Sequence, residues 1–222
     1  MQQLLIFDCD GVLVDSEYLA VLAEVEVLAN AGFSMTEDEI ASTCVGLSYP
    51  DMMALLEERF GEPMPEGLQV RLEEAAVAKF PAELREVAGM GEFLDRSDIT
   101  RCVASSGTPE RIALSLGITG LDRAFRPDAI FSSKFVENGK PAPDLFLHAA
   151  AEMKFDPADC IVVEDSPHGI AAAKAAGMTS VGLTAGGHMR EPGIDALKSA
   201  GADHLVASVA ELELLLGSRL SR

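Results

Sequence analysis

The feature that most constrains this chain is a set of short apolar runs, each ending abruptly at polar or glycine-rich sequence. Residues 3–7 (QLLIF) stop at Asp8, residues 101–104 (RCVA) at Ser105, and residues 160–163 (CIVV) at Glu164. Residues 179–183 (TSVGL) repeat the pattern, and 129–131 and 204–206 are weaker versions of it. Short, mainly apolar runs of this kind read as strands buried on both faces of a parallel sheet. Helical patterns lie between them. Thr108-Pro109-Glu110 opens one, with Thr108 as N-cap and Pro109 in the first turn. Residues 143–153 form another. Ser166-Pro167 opens an alanine-rich third that stops at Gly177, and 208–216 closes the chain. Strands alternating with helices predict an α/β fold, a doubly wound, Rossmann-like parallel sheet.

Residues 15–85 break that rhythm and read as helix after helix with no strand. Leu19, Leu22, Val25 and Leu28 recur at near-helical spacing, and Asn30-Ala31-Gly32 stops that helix. Thr36 with Glu39 has the spacing of a capping box, Ser48 with Asp51 starts a third helix, and 66–80 forms a fourth that Pro81 ends. Asp15 and Ser16 read as the cap of the first. The expected organisation is a core of residues 1–14 and 86–222, with a small all-helical cap domain, residues 15–85, inserted after the first strand.

Ligands of open α/β sheets bind at the carboxyl ends of the strands. There the sequence places Asp8 and Asp10, then Ser105, Ser106 and Gly107, then Glu164 and Asp165, with Lys140 in the turn Gly139-Lys140-Pro141. Four carboxylates on one sheet edge repel one another unless a cation binds them. A hard divalent ion with oxygen ligands fits, and Mg²⁺ suits a phosphate-bearing substrate. Lys140 supplies a second positive charge. Ser105 and the amides of Ser106 and Gly107 can donate to phosphate oxygens.

Such local positive charge matters because the chain as a whole is strongly acidic, with 36 acidic against 17 basic residues and a net charge of -19. With no basic run, the sequence is not that of a nucleic-acid or anionic-membrane binder. No window is apolar enough for a membrane span, and the opening MQQLLIFDCDG lacks the basic and apolar regions of a secretion signal. Cys9, Cys44, Cys102 and Cys160 show neither C-x-x-C nor zinc-finger spacing, so reduced thiols and a cytoplasmic location are expected.

The four motifs together resemble those of the haloacid dehalogenase-like phosphohydrolases. FDCDGVLVDSE (7–17) is similar to the first, VASSG at Ser105 to the second, GKPAPD at Lys140 to the third and VVEDSPHGI at Glu164 and Asp165 to the fourth. The resemblance implies that Asp8 is the nucleophile and that Asp10 is the acid and then the base. It implies that Mg²⁺ is held by Asp8, the Asp10 carbonyl and Asp165, with Glu164 beside it or also bound. Lys140 orients Asp8, and Ser105 holds the phosphoryl group. True dehalogenases of the superfamily lack an acid at the position of Asp10, so phosphate esters are the implied substrates.

The helical insert resembles the family's substrate-selecting cap, and the likeness is nearest to the β-phosphoglucomutase and sugar-phosphate phosphatase group. The mutase pattern has a cap histidine where this chain has Ala20 and a phosphate-gripping arginine where it has Tyr49. A phosphatase of a small phosphorylated metabolite, a sugar phosphate or sugar-acid phosphate such as 6-phosphogluconate, is therefore the expected function. A phosphosugar mutase is the alternative and a non-catalytic binding protein the third reading. Tyr49 and Lys79 are the candidate substrate contacts from the cap, with Glu17, Tyr18 and Arg71 as further polar groups. Gly169 is expected to permit close helix–sheet packing. His188 has no partner at catalytic spacing. Cys9 should point into the core, opposite Asp8 and Asp10. With no long heptad seam, a monomer is expected.

Overall fold

The computed structural model describes residues 3–45 and 49–220. Six parallel strands form one sheet, in chain order β1 (Leu4–Phe7), β2 (Thr100–Ser105), β3 (Ile130–Ser132), β4 (Cys160–Glu164), β5 (Thr179–Leu183) and β6 (His204–Val206). Their spatial order is β3-β2-β1-β4-β5-β6. The chain winds outward from β1 to β3, then returns to the other side of β1 with β4. The winding therefore reverses between β1 and β4, which opens a crevice at their carboxyl ends. In register, Phe7 lies beside Val103 on one side and Val163 on the other.

Alternation along β1 divides the core into two layers. Leu5 and Phe7 join one apolar cluster. It includes Phe93 and Leu94 of α5 (Met90–Arg96), Ile112 and Leu116 of α6 (Pro109–Thr119), and Leu212 and Leu216 of α10 (Val209–Leu220). Leu4 and Ile6 face the opposite layer, with Leu145 and Phe146 of α7 (Asp144–Met153) and Ala172 and Ala173 of α8 (Pro167–Ala175). Each fully buried Leu, Ile or Phe contributes about 1.5–3 kcal/mol, so the strands that carry the site residues are anchored in a buried core. Helix α9 (Glu191–Ser199) closes the sheet beside β5, where Leu197 lies against Gly182.

Between β1 and β2 the described residues contain four helices before α5: α1 (Ser16–Asn30), α2 (Glu37–Thr43), α3 (Tyr49–Phe60) and α4 (Leu68–Glu83). Their inner faces share a separate cluster around Leu28, Ile40, Leu56 and Leu72. Leu19 and Phe80 instead pack into the sheet-side cluster. The chain leaves and re-enters the sheet region along two adjacent passages. Asp15 donates its N–H to the Arg85 carbonyl at 2.9 Å, and Val87 donates to Leu13 at 3.0 Å. The α2 capping box forms in full, with the Glu39 amide donating to Thr36 Oγ1 and the Thr36 amide to Glu39 Oε2.

Several local expectations are corrected. Pro81 lies inside α4 rather than ending it, because its fixed φ suits a helix and it costs only one N–H near the last turn. Asp15 precedes α1 but makes no side-chain cap, since both it and Ser16 are turned to other partners. Helices α5 and α9 were not legible: each is short, and α9 opens Glu191-Pro192-Gly193, which reads as a turn although Pro suits a first helical turn. Ser48, expected to start α3, lies outside the described residues. The four cysteines are free and buried. Among the described residues no helix is long and apolar enough to cross a membrane.

Candidate active site

Asp8 follows β1 directly, its amide still paired to the Val163 carbonyl at 3.0 Å, and it is buried. The chain then turns tightly. Gly11 takes φ +76°, and Leu13 and Val14 both donate to the Cys9 carbonyl. This turn puts Asp8 and Asp10 toward the crevice and Cys9 into the core, where it is 1% exposed.

Lys140 reaches the same point from the turn before α7. Its buried ammonium donates to Asp8 Oδ1 and to Glu164 Oε1, each at 2.6 Å. The other Glu164 oxygen, Oε2, accepts from the amides of Asp165 and Ser166, both at 3.0 Å, and from Ser166 Oγ at 2.9 Å. Ser166 in turn caps α8 by accepting from the Gly169 amide at 3.0 Å. A Cβ on Gly169 would lie 1.9 Å from the Glu164 carboxyl, so this glycine makes room for the carboxylate as well as for packing.

Asp165 sits next to this pair. Its Oδ2 is 3.1 Å from His188 Nε2, and both side chains are buried. A Cβ on Gly11 would fall 1.8 Å from the same Oδ2. The Asp10 carboxylate is oriented differently. Its Oδ1 accepts from Ser16 Oγ at 2.5 Å, at the start of α1, and lies 3.4 Å from Arg111 Nη2. Arg111 stands over the Phe80 ring of α4 at 5.5 Å, so groups from both the helical segment and the sheet region meet at Asp10.

The Ser105–Gly107 turn forms the remaining wall. Ser105 is buried and its Oγ accepts from the Gly107 amide at 3.0 Å. Ser132 donates to the Gly107 carbonyl at 2.6 Å and Ser133 to the Ser106 carbonyl at 3.0 Å, which fixes the turn against β3. A Cβ on Gly107 would be 3.7 Å from Asp10 Oδ2, which places this turn beside Asp10.

The structure therefore gathers Asp8, Asp10, Ser105, Gly107, Lys140, Glu164 and Asp165 at one crevice, with Ser106 exposed at its edge. It does not bring Lys79 there. The Lys79 ammonium is held by Glu26 of α1 at 2.8 Å, a helix-to-helix ion pair within an acidic segment. Tyr49 begins α3, but its side chain lies outside what is described. Three groups escaped the sequence reading: Ser16, Arg111 and His188. His188, expected to be without a partner, meets Asp165. The one available signal was position, since Arg111 and His188 both follow the carboxyl end of a strand, after β2 and β5.

Burial raises the Asp8 and Asp165 carboxyls well above their ordinary range; Lys140 opposes this, while the neighbouring carboxylates add to it. Burial alone would lower the Lys140 pKa, but Asp8 and Glu164 outweigh it and hold the ammonium above its ordinary value. Glu17, half-buried on α1, is pushed up to about 7 by burial and then by Asp10 and Asp165. Burial lowers His188, against the pull of Glu17 and Asp15. These shifts describe a site with excess negative charge. One oxygen from each of Asp8, Glu164 and Asp165 lies within 4.8 Å of the others, a hard-cation donor set that would relieve this excess. The residues fit a divalent cation.

A doubly wound α/β domain with a buried nucleophile candidate, a clasping lysine and an acidic oxygen cluster at the topological switch defines a class of enzymes that handle anionic substrates at strand ends. Residues 5–183 match the family model of the haloacid dehalogenase-like hydrolases. The chain belongs to that family. It is 31% identical over 173 residues to the 6-phosphogluconate phosphatase of Escherichia coli K12, covering 78% of each chain. A conserved haloacid dehalogenase-like protein of unknown function from Agrobacterium tumefaciens superposes with a TM-score of 0.92 at 32% identity, over 99% of this chain and 100% of that one. A family hydrolase from Deinococcus radiodurans, solved with bound phosphate and sodium, superposes at 0.86 and 31% identity, over 98% and 96%.

Proposed function

We propose that this chain, a phosphoric monoester hydrolase, is a Mg²⁺-dependent phosphatase of a small phosphorylated metabolite, a sugar phosphate or sugar-acid phosphate such as 6-phosphogluconate. The observation that carries the reading is the Lys140 ammonium held between Asp8 and Glu164 at 2.6 Å each, with Asp165 completing the oxygen cluster. An aspartate buried this deeply and gripped by a lysine is poised as a nucleophile rather than as a solvated turn residue.

Asp8 attacks phosphorus, and the bond to the leaving oxygen breaks as Asp10 delivers a proton to that oxygen. Asp10, now a carboxylate, takes a proton from water, whose oxygen attacks the phosphorus of the phospho-aspartate. Inorganic phosphate leaves and Asp8 is restored. Ser16 and Arg111 hold Asp10 in place for both transfers. Ser105 and the adjoining turn amides receive the phosphoryl oxygens. Asp8, Asp165 and the Asp10 carbonyl would hold the Mg²⁺, which when bound would supply positive charge against the phosphoryl group. Glu164 fixes Lys140 with Oε1 and stands in the same oxygen cluster as Asp8 and Asp165. Residues 15–85 act as a cap domain that covers the crevice and selects the substrate.

Support for the metabolite class comes from the 6-phosphogluconate phosphatase relative. Phosphate release from a panel of phosphorylated metabolites, with Mg²⁺ and with EDTA, tests the reading. Metal-dependent release on one or a few sugar phosphates supports it. Conversion of β-glucose 1-phosphate to glucose 6-phosphate with a bisphosphate activator and no phosphate release would make the protein a mutase instead.

A further inference from the structure

We propose that Ser132 and Ser133, at the carboxyl end of β3, are positioning residues that aim the phosphoryl-binding turn Ser105–Gly107 at the crevice. The inference rests on the phosphatase reading given above and concerns two residues outside the four sequence motifs. The backbone ladder between β2 and β3 ends where Ser105 stands beside Ser132. Past that point side-chain hydroxyls join the two chains. Ser132 Oγ donates to the Gly107 carbonyl at 2.6 Å, and Ser133 Oγ donates to the Ser106 carbonyl at 3.0 Å.

The direction of the first bond is fixed. Ser132 Oγ accepts from the Lys134 amide at 3.2 Å, so its single proton is committed to Gly107. Ser132 is 1% exposed, which keeps water from competing for that hydroxyl. Each bond sets a peptide plane, because the C=O and N–H of a trans peptide point in opposite directions, and both peptides are trans. Ser133 draws the Ser106 carbonyl toward β3, which turns the Gly107 N–H the other way. Ser132 does the same for the Gly107 carbonyl and the Thr108 N–H. With the strand order β3-β2-β1, the side away from β3 is the side of β1, where Asp8 and Asp10 lie. Two distances agree: the Gly107 amide donates to Ser105 Oγ at 3.0 Å, and a Cβ on Gly107 would be 3.7 Å from Asp10 Oδ2. Donors aimed in advance at a developing charge need no reorganisation during the reaction. The two serines supply that aim without touching the substrate.

The test follows hydrolysis of p-nitrophenyl phosphate by wild type, Ser132→Ala, Ser133→Ala and Ser133→Thr. Inorganic phosphate is added as a competing inhibitor at saturating Mg²⁺, Mg²⁺ is varied separately, and Tm is recorded for each protein. Each alanine variant should weaken phosphate inhibition and lower kcat/KM by about 2- to 10-fold, the effect of losing one neutral hydrogen bond. The Mg²⁺ concentration for half-activation should stay within about twofold of wild type, and Ser133→Thr, which keeps the hydroxyl, should match wild type in every readout. Ser133 is only half-buried, so its two variants give an answer even where Ser132→Ala fails to fold. Unchanged phosphate inhibition and kcat/KM in the alanine variants, or Ser133→Thr as impaired as Ser133→Ala, overturns the inference while leaving the phosphatase reading intact. Equal shifts for phosphate and Mg²⁺ also overturn it, since the serines would then support the crevice as a whole. Wild-type protein that releases no phosphate overturns both.

Discussion

Replacing Gly169 with alanine adds a single methyl group and tests how rigidly the lysine clasp is built. Its Cβ would sit 1.9 Å from both Cδ and Oε1 of Glu164. A flexible side-chain end could swing aside at little cost, but Glu164 is 1% exposed and its carboxylate is engaged at both oxygens. Moving it gives up the Lys140 contact or the bonds from the Asp165 and Ser166 amides. Keeping it forces α8 away from β4. Overpacking of this kind costs about 1–3 kcal/mol, and losing one hydrogen bond to a charged group adds about 1.5–3 kcal/mol. A destabilisation of about 2.5–6 kcal/mol follows, which in a protein of this size lowers Tm by roughly 5–24 °C. Because Lys140 loses its second anchor, turnover should fall as well, even at a temperature where the variant remains folded. Differential scanning calorimetry and phosphate release on the same sample measure both effects. A Gly169→Ala variant with unchanged Tm and unchanged kcat would refute the claim that Glu164 is immobile and that Lys140 depends on it.

Asp8→Asn should abolish turnover while the protein stays folded by circular dichroism, because an amide does not attack phosphorus. Asp10→Asn should slow turnover by about 10²- to 10⁴-fold with Mg²⁺ affinity by calorimetry nearly unchanged, since in the proposed mechanism the metal would take that residue's carbonyl. Glu24, 9% exposed on α1, is raised from 4.5 to about 8 by burial and then by Glu17. The folded state keeps a proton that the unfolded state has lost, so this group lowers stability progressively from pH 4.5 to pH 8 and has no effect below that window. In urea unfolding, Glu24→Gln should remove this fall, a gain on the order of 4 kcal/mol at pH 8 relative to pH 4; identical pH profiles in both proteins would contradict it.

The two scales of the molecule differ in how far they could be read from sequence. Strands were legible because a strand buried on both faces needs an unbroken apolar run, and β5 falls on the residues where its run lies. The α2 capping box was legible because its two partners are three residues apart. The motif residues Asp8, Asp10, Lys140, Glu164 and Asp165 were also visible, since each stands at a strand end or in a distinctive turn. What the sequence concealed were partnerships made across the fold. Asp10 and Arg111 are 101 positions apart, and Gly187 and Asp15 are 172 apart. Lys79, expected to meet a substrate across the cleft, is instead paired with the Glu26 carboxylate of α1, a partner 53 positions away. Pro81 shows that a proline near the end of a helix can be accommodated without ending it.

The central claim is covalent: the phosphoryl group rests on Asp8 before water takes it. Acid quenching during turnover of a substrate with a radiolabelled phosphoryl group, followed by peptide mapping, tests it most directly. The account predicts label on the peptide that carries Asp8, more of it in Asp10→Asn, where hydrolysis of the intermediate is slowed, and none in Asp8→Asn. Phosphate release with no labelled peptide, or label on any other residue, would contradict it.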